Sequence, residues 1–169
     1  MDSYTEIIRA FSRDLSSEFT IRQVSKQINK SYAYTNTKCR ELISQGILHK
    51  KIVGASILCR LNYANDVTIA LLALSSAAEK DDKLGKAKDD AESLRKALKN
   101  SADVIILNDN KFCIIARDEL ECNDKLSLLK VNADVISLEQ LKQLVRDNQE
   151  SIILIHGFEN FWRMVSDAK

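Results

Sequence analysis

Proline is absent from all 169 residues, and glycine occurs only four times. Multi-turn β-sandwiches and long structureless loops draw on both residues at their bends, so this chain is poorly suited to either. Helices and short strands joined by tight connections remain. The chain is 45% apolar and 29% charged, enough to bury a core and stay in solution, which excludes collagen-like, disordered and membrane classes. Its longest apolar run, Ile69 to Leu74, is far short of the ~20 residues of a bilayer-crossing helix. The start, MDSYTEIIRAF, has no basic stretch followed by an apolar one, so no signal peptide is expected. Cys39, Cys59, Cys113 and Cys122 are scattered without a CxxC pair. They are expected to be reduced thiols of a cytoplasmic protein, not disulfide partners or metal ligands.

The net charge of +1 hides an asymmetry. Residues 1–63 carry ten Lys/Arg against five Asp/Glu, and residues 64–169 carry fifteen against nineteen. Within 22–60, eight cations (Arg22, Lys26, Lys30, Lys38, Arg40, Lys50, Lys51, Arg60) face only Glu41. A basic N-terminal third on a mildly acidic remainder is the charge layout of a nucleic-acid-binding domain joined to something else.

Apolar periodicity predicts a helix from Tyr4 to Leu15 through Ile7, Ile8, Phe11 and Leu15. Thr20, with Gln23 three residues on, reads as a capping box opening a short helix from Ile21 to Ile28. Asn29-Lys30 is a turn. Ser31 then caps a third helix carrying Tyr34, Cys39, Leu42 and Ile43, which stops at Gly46. Ile47–Val53 and Ala55–Leu61 flank Gly54 as a β-hairpin. Residues 19–51 (FTIRQVSKQINKSYAYTNTKCRELISQGILHKK) resemble the winged helix-turn-helix family over their whole length. The resemblance implies that the third helix enters a DNA major groove.

A helix from Asp66 to Ala78 is apolar nearly all round and so expected to be buried, either in an intrachain core or in a dimer seam. Lys80 to Lys99 alternates in charge and reads as an amphipathic, solvent-facing helix with a possible break at Gly85. The period then changes. Asp103–Leu107 and Phe112–Ala116 form a hairpin around Asn108-Asp109-Asn110-Lys111, and Leu126–Val131 is a third strand candidate. Ser137 caps a helix over 138–147; Ser151–Ile155 either extends it or forms a strand. Gly157 turns the chain into a last helix, Phe158–Asp167.

Residues 131–165 (VNADVISLEQLKQLVRDNQESIILIHGFENFWRMV) are similar to the C-terminal part of archaeal proteins that couple a winged helix to a nucleotidyltransferase-like domain. Residues 65–80 resemble the connector of those proteins. The likeness implies an α+β chain in three parts: a winged helix-turn-helix over 1–63, a helical linker and dimerisation region over 64–100, and a small α/β nucleotidyltransferase-like domain over 101–169. Active members carry a Gly-Ser after the first strand, whose helix start cradles phosphate, and an Asp-Xaa-Asp that holds Mg²⁺. Neither motif occurs in this chain. The expected C-terminal domain is therefore degenerate, with no catalytic residues, no metal and no cofactor. It would serve oligomerisation or partner or ligand binding. The alternative is a nucleotidyltransferase-type enzyme or antitoxin-like protein with a non-standard site built on Asp103, Asp109 and Asp118.

In the helix-turn-helix reading, Ser31, Tyr32, Ala33, Thr35, Asn36 and Lys38 face the major groove, with Tyr34 or Cys39 turned partly inward. Asn36 is a candidate for bidentate pairing with adenine, and Tyr32 and Ala33 for thymine methyls. Arg22, Lys26, Lys30 and Arg40 suit phosphates, as do His49, Lys50 and Lys51 on the wing. His156 is expected to be a packed or capping histidine. The expectation is a homodimeric, sequence-specific double-stranded DNA binder without a membrane role, in which a winged helix used only for protein contact is disfavoured by the charge.

Overall fold

The computed structural model describes residues 3–12 and 16–166. The fold is mixed α+β, and two compact units divide between Ser75 and Ser76. No helix among the described residues is long and apolar enough to cross a membrane.

The first unit runs α1 (Ser3–Ser12), β1 (Phe19–Thr20), α2 (Ile21–Gln27), α3 (Tyr32–Ser44), β2 (Leu48–Val53) and β3 (Ser56–Leu61), and takes in the start of α4 (Asp66–Leu84). Leu15, expected at the end of the first helix, lies outside the described residues. The strands form an antiparallel sheet in the order β1-β3-β2, with Phe19 opposite Cys59. The two-residue β1 is an element that local patterning does not announce, because its pairing partner is forty residues away.

The boundaries of α2 and α3 have visible causes. Thr20 Oγ1 accepts from Gln23 N at 3.2 Å while Gln23 Oε1 accepts from Thr20 N at 2.8 Å, closing the capping box on α2. Ser31 Oγ accepts from Tyr34 N at 3.3 Å to cap α3. At the other end of α3, Gly46 takes φ +69°; its N–H donates to Ile43 O (3.0 Å), and Ile47 N–H to Leu42 O (2.9 Å). This is a Schellman ending. Asn62 Nδ2, Asn65 Nδ2 and Thr68 Oγ1 then donate to the carbonyls of Gly46, Gln45 and Ile47. These bonds tie the end of α3 to the segment that enters α4. The core holds Ile7, Ile8 and Phe11 of α1, Ile21 and Val24 of α2, and Cys39 and Leu42 of α3, with Leu48, Cys59 and Leu61 of the hairpin.

The second unit contains the rest of α4, a 3-10 turn (Gly85–Ala87), α5 (Lys88–Ala97), β4 (Ala102–Asn108), β5 (Lys111–Ala116), α6 (Glu119–Ser127), β6 (Ala133–Val135), α7 (Leu138–Asn148), a second 3-10 turn (Gln149–Ser151), β7 (Ile153–His156) and α8 (Phe158–Ser166). The sheet order is β6-β5-β4-β7; only the β5–β6 pairing is parallel. Asp109 and Asn110 both have positive φ and form a two-residue hairpin turn, since Asn108 pairs with Lys111. Alternation sends Ile105, Leu107, Phe112 and Ile114 to one face, where Leu84 of α4, Ala91 and Leu94 of α5, and Leu98 just after it cover them.

Several expectations are corrected. Residues 126–131 are not a strand: α6 occupies 119–127, and the strand beside β5 is Ala133–Val135. Asp118, expected only as part of the alternative site, instead caps α6: its Oδ1 accepts from Glu121 N at 3.0 Å. The stretch 80–99 is amphipathic as expected, and its apolar face packs into the core through Leu84, Ala91, Leu94 and Leu98. The apolar helix continues past Ala78 to Leu84, and Val67 and Leu74 on it are more than half exposed in the single chain. Residues 64–100, read as one connecting region, are divided between the two units. The open reading of Ser151–Ile155 resolves into a 3-10 turn followed by β7, and the last helix is described to Ser166, with Asp167 outside the described residues.

Candidate nucleic-acid interface

The start of α3 is its most exposed stretch. Ser31, Tyr32, Ala33 and Tyr34 all lie open, Tyr32 at 56% and Tyr34 at 38%. Tyr34 is thus less inward than expected, while Cys39 is fully buried. Asn36 is half-buried, and its Oδ1 accepts from Arg40 Nε at 3.2 Å. Arg40 itself is exposed.

Thr35 is withdrawn from the groove-facing set. It has no exposed surface, and its hydroxyl donates to Ser31 O one turn back at 3.0 Å. Position 35 falls on the core side of α3, where a threonine satisfies its own polar group. No feature of its local sequence separates it from its exposed neighbours.

Lys38 also differs from expectation. Its ammonium donates to Glu41 at 2.8 Å and sits 5.0 Å from the centre of the Tyr4 ring, while the Tyr4 hydroxyl donates to the same carboxylate at 2.5 Å. The Lys38 hydrogen bond, then that of Tyr4, holds Glu41 below the usual carboxylate range. Lys38 and Tyr4 are shifted up, each chiefly by the hydrogen bond to Glu41. With Glu41's folded value depressed, the network's contribution is present above the ordinary glutamate pKa and lost as pH falls through the lowered one. The one acid in the basic stretch therefore withholds one of its cations. In the DNA-binding reading, Glu41→Gln is expected to release Lys38 and steepen the salt dependence of binding by up to about one unit. An unchanged slope in a salt titration would leave Lys38 without a role at the interface.

Arg22 and Lys26 are exposed on α2, and Lys30 is exposed in the α2–α3 turn, 4.0 Å from Glu6. Asn29 makes that turn possible by taking φ +52°, a conformation asparagine tolerates better than most residues. Lys30 N–H then donates to Ser25 O at 3.0 Å.

On the hairpin, register separates two residues that sequence reasoning treated together. Leu48, Lys50 and Ile52 share a face with Leu61, Cys59 and Ile57, whereas His49 and Lys51 share the other face with Arg60 and Leu58. Leu48, Cys59 and Leu61 are core. Lys50 is exposed although it shares the core-side face and stands opposite the buried Cys59, and Lys51 shares the outer face with His49 and Arg60. Arg60 was counted only as charge in the sequence; the antiparallel register is what sets it beside His49.

In the second unit, Asp103, Asp109 and Asp118 are not brought together. Asp103 and Asp118 lie at the open end of the β4–β5 hairpin and Asp109 at its turn, about 20 Å away for six extended residues. Asp103 is paired with Arg117 at 2.8 Å, and Asp118 is the α6 cap. His156 is half-buried in β7, and desolvation, ahead of the charges of Arg95 and Arg117, lowers its pKa. Among the described residues, no group of three or more His, Cys, Asp or Glu side chains is positioned to hold a metal ion. All four cysteines are buried free thiols, with Cys39 pushed up to about 12 and Cys59 to about 11 by desolvation. No family model, curated protein or solved structure matches the chain.

Proposed function

We propose that this chain is a sequence-specific double-stranded DNA-binding protein, a transcriptional regulator whose first unit is a winged helix and whose second unit is catalytically inactive. The observation that carries the reading is the exposed N-terminal end of α3 together with the exposed cations Arg22 and Lys26 of α2 and Lys30 of the turn between the two helices. An exposed helix start with small and hydrogen-bonding side chains suits base edges, and flanking cations suit phosphates. The outer hairpin face, with His49, Lys51 and Arg60, adds a second cationic surface for an adjacent backbone. A homodimer is favoured by α4. No charged residue lies between Asp66 and Glu79, and Val67 and Leu74 are exposed there in the single chain. Exposed helix faces normally carry charge, so a charge-free one calls for an apolar cover.

The test is fluorescence anisotropy with genomic DNA fragments across 50–300 mM salt, with light scattering on the same samples. The expected result is a linear fall of log affinity with log salt, a fragment preferred over bulk DNA by at least about a thousandfold, and a dimer. Millimolar affinity for every fragment at low salt would defeat the DNA reading, and a monomer at micromolar concentration the dimer.

A further inference from the structure

A cleft of about 500 Å³ opens in the second unit between α7 and the β5–β6 part of the sheet. Strand alternation explains its floor. Phe112 and Ile114 point into the α5-covered core, so Lys111 and Cys113 of β5 take the other face. Cys113, Ile136 and Leu144 make that floor apolar. On α7, Gln140, Gln143, Leu144 and Asp147 recur at three- and four-residue spacing, so a single helix face forms one wall.

The rim is anionic. Asp109 stands at the hairpin turn, Asp134 on β6 and Asp147 on α7, against one lining cation, Lys111. Lys111 is already committed to Asp134 at 2.5 Å, a contact that holds its pKa up. Asp147 receives only the neutral Gln143 amide, at 3.0 Å to each oxygen. Two carboxylates are thus left without a cation among the lining residues. Carboxylates here are too dispersed to chelate one metal ion, yet they border a space within the range of small-molecule sites.

We infer that this cleft binds a compact organic cation, with ammonium or guanidinium groups at Asp109 and Asp147 and an aliphatic or aromatic body over Cys113, Ile136 and Leu144. An anion would meet net negative charge, and a neutral body would leave both carboxylates unpaired. The site lies wholly in the second unit and does not rest on DNA binding, so either reading fails without the other.

Cys113 supplies the readout. It retains 7% exposure while Cys39, Cys59 and Cys122 have none, so a bound body over the floor shields the one reachable thiol. The full chain is alkylated with iodoacetamide at alkaline pH, and each cysteine is followed by mass spectrometry. Agmatine and phenethylamine are expected to slow Cys113 modification about threefold or more at low millimolar concentration. 2-Phenylethanol and phenylacetate are expected to leave it unchanged. Asp109→Asn with Asp147→Asn should raise the half-protecting concentration by about tenfold. Both positions are exposed, and asparagine tolerates the positive φ of 109, so the fold is retained. Leu144→Trp should abolish protection by filling the cleft. Five results would overturn the inference: equal protection by 2-phenylethanol, protection by Mg²⁺ alone, protection undiminished in the Asn double variant, protection by a lysine-rich peptide but not by free amines, or none from either amine at about 10 mM.

Discussion

Gly157→Ala is expected to lower the melting temperature by more than about 10 °C. Gly157 joins β7 to α8 at φ +71°, and a Cβ added there would stand 1.8 Å from Asp103 O and 2.9 Å from Asp103 C. Both atoms are backbone of the central strand β4. A side chain could swing away; the backbone at Asp103 lies at a bulge of β4 and cannot shift far without disturbing the adjoining pairs Val104–Ile115 and Ile105–His156. The left-handed conformation alone costs alanine about 1–2 kcal/mol, and forced displacement of packed atoms adds about 1–3 kcal/mol. At about 4–8 °C per kcal/mol for a unit of this size, the middle of that range, about 3.5 kcal/mol, corresponds to about 14–28 °C. Gly46→Ala is the control. It shares the positive φ, but its nearest neighbour is the Asn65 side chain at 3.5 Å, so only the torsional cost remains. Equal shifts for the two variants in calorimetry would remove the Asp103 clash from the account.

Neutralising Arg22, Lys26 and Lys30 together is expected to weaken DNA binding by about a hundredfold near 0.1 M salt, with the salt slope reduced by about three. All three are exposed, and the only ion pair they share with the described residues is the 4.0 Å contact of Lys30 with Glu6. Exposed pairs of that kind add little to stability, so the variant should melt within about 2 °C of the parent. Preferred and bulk fragments should lose affinity in parallel, since phosphate contacts carry no base information. Asn36→Ala would separate the two roles, costing about 1–3 kcal/mol on the preferred fragment alone. A triple variant with an unaltered slope would take α2 out of the DNA interface.

The elements legible in the sequence are those with local causes. The Thr20–Gln23 box, the Ser31 cap and the Gly46 stop are each written within four residues, and the structure closes each with the hydrogen bonds such residues make. Misread elements depend on distant partners. Leu126, Leu128 and Leu129 look like a strand because they are apolar and clustered, yet residues up to Ser127 follow the Asp118 cap as helix. The true strand, Ala133–Val135, is three residues long and has too little pattern to be seen apart from β5. At the candidate interface the same division applies. Exposed Tyr32, Ala33 and Ser31 follow from helix position, whereas Thr35 is buried on the core side of α3 and Lys38 sits over the ring of Tyr4, far away in the sequence.

The register of the β2–β3 hairpin limits how this surface can change over time. Because His49 and Lys51 share their face with Arg60 through an antiparallel pairing, the basic outer face depends on whether positions are odd or even. An insertion of one residue between Ile47 and His49 would turn those cations toward the core side and expose their apolar neighbours. Two inserted residues would lengthen the arm and keep the face. Viable length variants should therefore differ by pairs of residues within the strands, with single insertions confined to the turn at Gly54 and Ala55.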